Sequence, residues 1–257
     1  MKRIGIIGGM SPESTLHYYE RINRQVNELA QEDELAQEDE HSKHVSADMV
    51  LRSVNFEEYC QLMEADNWAE IAKKLYVEAT TLICKNDCDY VAVATNTMHK
   101  VADDICPSDQ FVHIGDCVAE ECIERGFKRV AIIGTKTTMK EDFMKNRLRK
   151  HGLEVADTFT EEEIAEIDRI IFEELCHGEV DDDSKHTVLN AIVHADSRDM
   201  DNGDIGFDAV ILGCTELEML FGEEDEYFIT NPKHHHRYEF VNSTQAHINK
   251  LVELCLS

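Results

Sequence analysis

Lys2-Arg3-Ile4-Gly5-Ile6-Ile7-Gly8-Gly9-Met10-Ser11-Pro12-Glu13 reads as a short buried strand, a glycine turn and a helix start. β-Branched residues fill the strand, while Ser11 suits an N-cap, Pro12 the first helical position and Glu13 the positive end of the helix dipole. The stretch returns later in the chain. Lys128-Arg129-Val130-Ala131-Ile132-Ile133-Gly134-Thr135 echoes residues 2–10, and Asp208-Ala209-Val210-Ile211-Leu212-Gly213-Cys214-Thr215 echoes Asp89-Tyr90-Val91-Ala92-Val93-Ala94-Thr95. Two similar lobes are therefore expected, with Thr95 and Cys214 at equivalent strand ends. If the lobes face each other, those residues flank one cleft.

Working outward, apolar runs at 4–7, 49–54, 90–94, 112–114, 129–133 and 209–212 read as buried strands alternating with helices, the pattern of parallel βαβ units. The clearest helix places Trp68, Ile71, Leu75, Ala79, Leu82 and Ile83 on one face. Residues 28–39 repeat Glu-Leu-Ala-Gln-Glu-Asp and read as a charged helix extension or a disordered loop. Residues 196–206 are rich in Asp and Gly, yet Arg198, Met200 and Asn202 stand where an EF-hand needs oxygen ligands, so calcium is not expected. His234-His235-His236 beside Lys233 and Arg237 reads as a solvated basic loop rather than a metal site.

A formal charge of −28 argues against nucleic-acid or anionic-membrane partners, which require a basic surface. No run reaches the roughly 18 apolar residues of a membrane helix, and the apolar run after Arg3 is too short for a signal peptide, so a cytoplasmic protein is expected. The nine cysteines lack metal-ligand spacing and read mostly as reduced, buried small hydrophobes. An anionic substrate would need a local positive island of arginine and helix N-termini.

Candidate chemistry falls where strands end and helices begin, at the carboxyl edge of a parallel sheet. Four turns qualify: Ser11, Thr97, Thr138 with Glu141 as a capping box, and Cys214-Thr215-Glu216 opening a short helix that ends near Gly222. The second turn leads into a helix that stops before Pro107. Hydroxyl caps singly are usually structural, but four at equivalent strand ends can present N–H groups to carboxylates. Gly5, Gly8 and Gly9 match neither a dinucleotide fingerprint nor a P-loop. Cys214, at a helix start, is expected to have its thiol pKa lowered from about 8.5 toward neutrality.

Residues 4–15, Asn96-Thr97-Met98-His99, Ile133-Gly134-Thr135 with Thr138, and Gly213-Cys214-Thr215-Glu216 together resemble the aspartate/glutamate racemase family across nearly the whole chain. The resemblance implies an α/β fold of two pseudo-symmetric lobes, each a parallel sheet flanked by helices, with the active site in the cleft between them. It places residues 1–108 plus 228–257 in the first lobe and 109–227 in the second. It further implies a homodimer, no cofactor, no metal and an acidic amino acid as substrate.

Typical members carry a cysteine where this chain has Thr95, and the motif Ala94-Thr95-Asn96-Thr97-Met98-His99-Lys100 resembles a branch with threonine there. Cys84 and Cys88 precede the strand and cannot replace that thiol. Cys176-His177-Gly178 also departs from aspartate-specific relatives, which look to have a lysine near the glycine. On this reading Cys214, as thiolate, removes the α-proton, and Thr95, directly or through water, serves the other face. Met10, Ser11, Asn96, Thr97, Thr135, Thr138, Thr215 and Glu216 are the expected substrate contacts. Arg52 is the candidate partner of the distal carboxylate, its alternative being a strand-end salt bridge. His99 is the reserve base should both enantiomers turn over equally. The rivals are a single-cysteine decarboxylase of substituted malonates and a non-catalytic amino-acid-binding protein.

Overall fold

The computed structural model describes residues 1–37, 45–106, 109–221 and 228–257. The chain divides into two α/β units, Met1–Ile114 with His247–Ser257, and Gly115–Ala246. The first holds β1 (Ile4–Gly8), α1 (Pro12–Gln37), β2 (Met49–Ser53), α2 (Phe56–Glu64), α3 (Trp68–Asn86), β3 (Tyr90–Val93) and a 3-10 helix over Thr97–Asp104. Its sheet, ordered β2-β1-β3, is parallel throughout. Helix α3 starts where the Asn67 side chain accepts from the Glu70 N–H and ends where Asp87 turns left-handed. The expected apolar face is buried at Ile71, Leu75, Ala79 and Leu82.

From Ile114 onward come α4 (Ile114–Glu124), β4 (Arg129–Ile133), α5 (Lys136–Lys140), α6 (Asp142–Lys150), β5 (Glu154–Val155) and α7 (Glu161–Glu173). After a 3-10 turn at Leu175–His177 follow α8 (Asp182–Asp201), β6 (Ala209–Leu212), a 3-10 turn at Thr215–Leu217, α9 (Glu218–Phe221), β7 (Phe228–Asn231), β8 (His236–Asn242) and α10 (Ser243–Leu256). The second sheet runs β5-β4-β6-β8-β7, with only β7 antiparallel among the described strands. Its core gathers Ile133, Ile164, Ile167, Ile170, Val210 and Phe240.

The sequence echo reappears as equivalent pairing. Ile4 to Ile7 lie beside Tyr90 to Val93, and Val130 to Ile133 beside Ala209 to Leu212. At the strand starts, Asp89 Oδ2 accepts from the Arg3 N–H at 2.8 Å and Asp208 Oδ2 from the Arg129 N–H at 3.0 Å. At the far ends, the Ala94 N–H donates to Ile7 O at 2.9 Å and the Gly213 N–H to Ile133 O at 2.7 Å. Each unit thus delivers its next residue, Thr95 or Cys214, from the same backbone position.

Several expectations need correction. Residues 112–114 are not a strand: Phe111 makes a single bridge to Val91, and Ile114 begins α4. Beyond the Val112 N–H, which donates to Val91 O at 2.9 Å, the backbone there turns to side chains, since Val112 O bonds His247 and the Ile114 N–H bonds His99. Residues 228–246, expected in the first lobe, lie in the second unit because β8 pairs with β6. The expected boundaries at 108 and 228 thus fall at 114/115 and 246/247. The stretch 232–235 is the turn of the β7-β8 hairpin, with His235 at positive φ, and His236 begins β8. Thr138 and Glu141 form no capping box: Thr135 caps α5, and extended Glu141 separates α5 from α6. The repeat at 28–39 continues α1 as far as Gln37, residues 38 and 39 lying outside the described residues with Pro107 and Gly222. In the acidic segment after residue 196, Asp199 and Asp204 pair with Arg129 and Asp201 with Lys233.

Candidate active site

In the first unit the carboxyl ends of β1, β2 and β3 bring together Met10 and Ser11, Arg52 and Ser53, and Thr95 to Thr97. Gly9 adopts φ +89, and a Cβ there would lie 2.5 Å from Ser53 Oγ and Val54 O, so the turn requires glycine. Thr15, which the sequence reading passed over, closes the turn. Its Oγ1 accepts from the Gly9 N–H at 2.9 Å and donates to Ser11 O at 2.8 Å. Ser11 Oγ accepts from the Ser14 N–H at 3.2 Å, the expected N-cap.

Thr95 is half-buried, Asn96 buried and Thr97 half-buried at the start of the 3-10 helix. His99 is 2 % exposed, and its ring lies against backbone at both nitrogens. It is therefore placed as a structural group rather than as a reserve base. Arg52 donates to both carboxylate oxygens of Glu78, at 2.7 and 2.9 Å, and to Ser53 O. This salt bridge borders a polar cavity of about 570 Å³ lined also by Asn55, Tyr59, Lys73 and Lys74.

In the second unit the ends of β4 and β6 touch through glycine. A Cβ on Gly134 would lie 2.8 Å from Gly213 O, and one on Gly213 would lie 3.2 Å from Thr138 Cγ2. Thr138 is therefore packed against the residue preceding Cys214. Its Oγ1 lies 3.1 Å from that of Thr135, which also caps the Thr138 N–H, while Asp168 accepts from the Lys136 N–H at 2.6 Å. These interactions use the hydroxyls that the sequence assigned to substrate.

Cys214 ends this turn in extended backbone, 8 % exposed. Its Sγ donates to Glu216 Oε2 at 3.0 Å, and Thr215 Oγ1 donates to the same oxygen at 2.6 Å. Burial, and then the Glu216 carboxylate, push the thiol well above its ordinary value. The expected lowering is thus overturned: desolvation and an acidic neighbour outweigh the helix start, which here is one 3-10 turn. The neighbouring strand end adds residues the sequence did not suggest. Asn242 donates to buried Glu218 at 2.5 Å, and Ser243 Oγ donates to Leu212 O at 2.6 Å. Only the pairing of β8 with β6 brings them here, and the polar run 233–237 hid that strand.

Among the described residues, no group of three or more metal-ligating side chains is assembled, and no helix is long and apolar enough to cross a membrane. All nine cysteines are free thiols. Two α/β units carrying matched strand-end turns, one with a threonine and one with a hydrogen-bonded thiol, define the class. The sequence matches the Asp/Glu/hydantoin racemase family over residues 7–251, and the chain belongs to that family. A Yersinia pestis structure described as a candidate Asp/Glu racemase shares 32 % identity over the full length of both chains, with a TM-score of 0.80. An aspartate racemase homologue from Pyrococcus horikoshii shares 34 % identity, also over both full lengths, with a TM-score of 0.72. At the level of fold alone, glutamate racemase from Francisella tularensis, solved with D-glutamate, is similar at 13 % identity and a TM-score of 0.57, covering 99 % of this chain and 81 % of that one.

Proposed function

We propose that this protein is a cofactor-independent racemase of aspartate or glutamate in which Cys214 exchanges the α-proton. The observation carrying this reading is the Cys214–Glu216 hydrogen bond at the end of β6 in a chain of this family. Glu216 gives the buried thiol a place to lose its proton: transfer to the carboxylate leaves a thiolate beside a neutral acid, and the thiolate then takes the substrate's α-proton. The electron pair left on carbon spreads into the α-carboxylate, for which backbone N–H groups near Ser11 and Thr97 are the proposed partners. A proton returns to the other face from Thr95 or a water it holds, leaving an alkoxide or hydroxide that takes a proton from solvent, while Glu216 gives its extra proton up to solvent.

Arg52 is the proposed partner of the distal carboxylate, which would displace Glu78. The Arg52 side chain is 51 % exposed, and such pairs contribute only about 0–1 kcal/mol, so exchange is inexpensive. Association as a homodimer and a cytoplasmic location belong to the same proposal and rest on family likeness. Uptake of α-deuterium by the amino acid in deuterated water tests it; carbon dioxide from a substituted malonate with no α-exchange would favour the decarboxylase reading, and neither reaction would favour a binding protein.

A further inference from the structure

Three histidines, His99, His113 and His247, are buried together in the first unit with ring centroids 4.7 Å apart for His99–His113 and 5.8 Å for His99–His247. None is a proposed acid or base. One of them, His99, is hydrogen-bonded to the reacting turn. The Ile114 N–H can only donate, so His99 Nε2, at 3.2 Å, accepts; the proton of the neutral ring is then on Nδ1, which donates to Thr95 O at 2.8 Å. The same logic fixes His247. Val112 O can only accept, so Nε2 donates to it at 3.0 Å, and Nδ1 accepts from the Tyr18 hydroxyl at 2.8 Å. His99 and His247 thus both bond the 112–114 link, whose last residue, Ile114, ends the first segment of this unit.

We propose that His99 is a positioning residue for Thr95: one neutral imidazole ties the Thr95 carbonyl to the backbone of Ile114 and so fixes how the threonine hydroxyl is presented. This rests on the reading of Thr95 as the group serving the second face. The Thr95 carbonyl has no ladder partner in β3, which ends at Val93, so the imidazole supplies a bond the sheet does not. His247, with burial and His99 lowering its pKa to about 3, holds the other side of the link without adding charge beside the turn.

Two substitutions separate positioning from packing. Asparagine places an amide N–H near the Nδ1 position and can keep the bond to Thr95 O; glutamine places its oxygen near the Nε2 position and can keep only the bond to Ile114. His99→Gln should lower kcat about tenfold or more with KM changed less than about threefold, whereas His99→Asn should stay within about threefold of wild type. Equal activities, or activities that simply follow Tm, would overturn the proposal. Should neither variant fold, ¹⁵N-histidine NMR of the wild-type protein decides: His99 protonated on Nδ1 and His247 on Nε2 are expected, and an Nε2-protonated His99 would overturn it. A wild-type protein that exchanges no α-proton would remove the proposed function, and the NMR tautomers would then show whether the clamp itself stands.

Discussion

Cys214 Sγ donates to Glu216 Oε2 across 3.0 Å, inside a turn where the sulfur has lost nearly all contact with water. Burial disfavours the thiolate, and the adjacent carboxylate disfavours it further. The resting group is therefore a thiol, and its activation requires the proton to move. Iodoacetamide labelling of Cys214, mapped by peptide mass, should have its midpoint above the ordinary thiol range of about 8.5. Glu216→Gln removes the second-largest cause and should shift the midpoint down while slowing turnover, since the proton's destination is gone. A midpoint near neutrality in the wild type would show that the thiol is stored as thiolate.

Cys214→Ser should reduce racemisation by about a thousandfold or more with an unchanged circular dichroism spectrum, because a hydroxyl is a poor base at neutral pH. Cys84→Ser, at an exposed position on α3, should be silent. A large catalytic loss in the Cys84 variant with normal Tm would identify a different thiol.

Glu78→Gln separates the two roles of Arg52. If the guanidinium receives the distal carboxylate, releasing it from Glu78 should lower KM for aspartate or glutamate, and Arg52→Ala should raise it. If the bidentate pair is only a strand-end brace, both variants should change Tm and leave KM alone.

Acid stability follows from His247, whose pKa is lowered to about 3 by burial and then by His99. The unfolded chain protonates this residue below about 6.5 while the folded chain does not. Folded protein thus binds fewer protons between those values, and its stability, full above 6.5, is lost as pH falls toward 3. The shift corresponds to at most about 5 kcal/mol. His247→Gln should flatten the fall of Tm between pH 6.5 and 4, and an unchanged slope would place the acid sensitivity elsewhere.

The strand echoes were legible because the chain repeats the same apolar run before the same kind of turn, and β1, β3, β4 and β6 occupy those residues. Cys214 with Glu216 and Ser11 as a cap followed from local sequence. What was hidden was non-local. The 112–114 run has the composition of a strand, but after the one bond from the Val112 N–H to Val91 O its Val112 carbonyl and Ile114 N–H are taken by imidazoles 135 and 15 residues away. β8 was missed because its alternation, Arg237-Tyr238-Glu239-Phe240, emerges from a polar histidine run rather than forming a continuous apolar run, and its loss misplaced residues 228–246. The direction of the Cys214 shift was misjudged for a related reason: sequence shows the helix start but not the desolvation that outweighs it.

Exchange with deuterated water tests the central claim most directly. L-aspartate and L-glutamate are incubated separately with wild type and Cys214→Ser, and α-deuterium and chirality are followed together by mass spectrometry and chiral separation. The account predicts that one L substrate gains α-deuterium in the wild type faster than D product accumulates, because Thr95 is the weaker partner and inversion lags behind exchange at the Cys214 face, and that Cys214→Ser abolishes both. Undiminished deuterium uptake by Cys214→Ser, or none from either amino acid in the wild type, would contradict it.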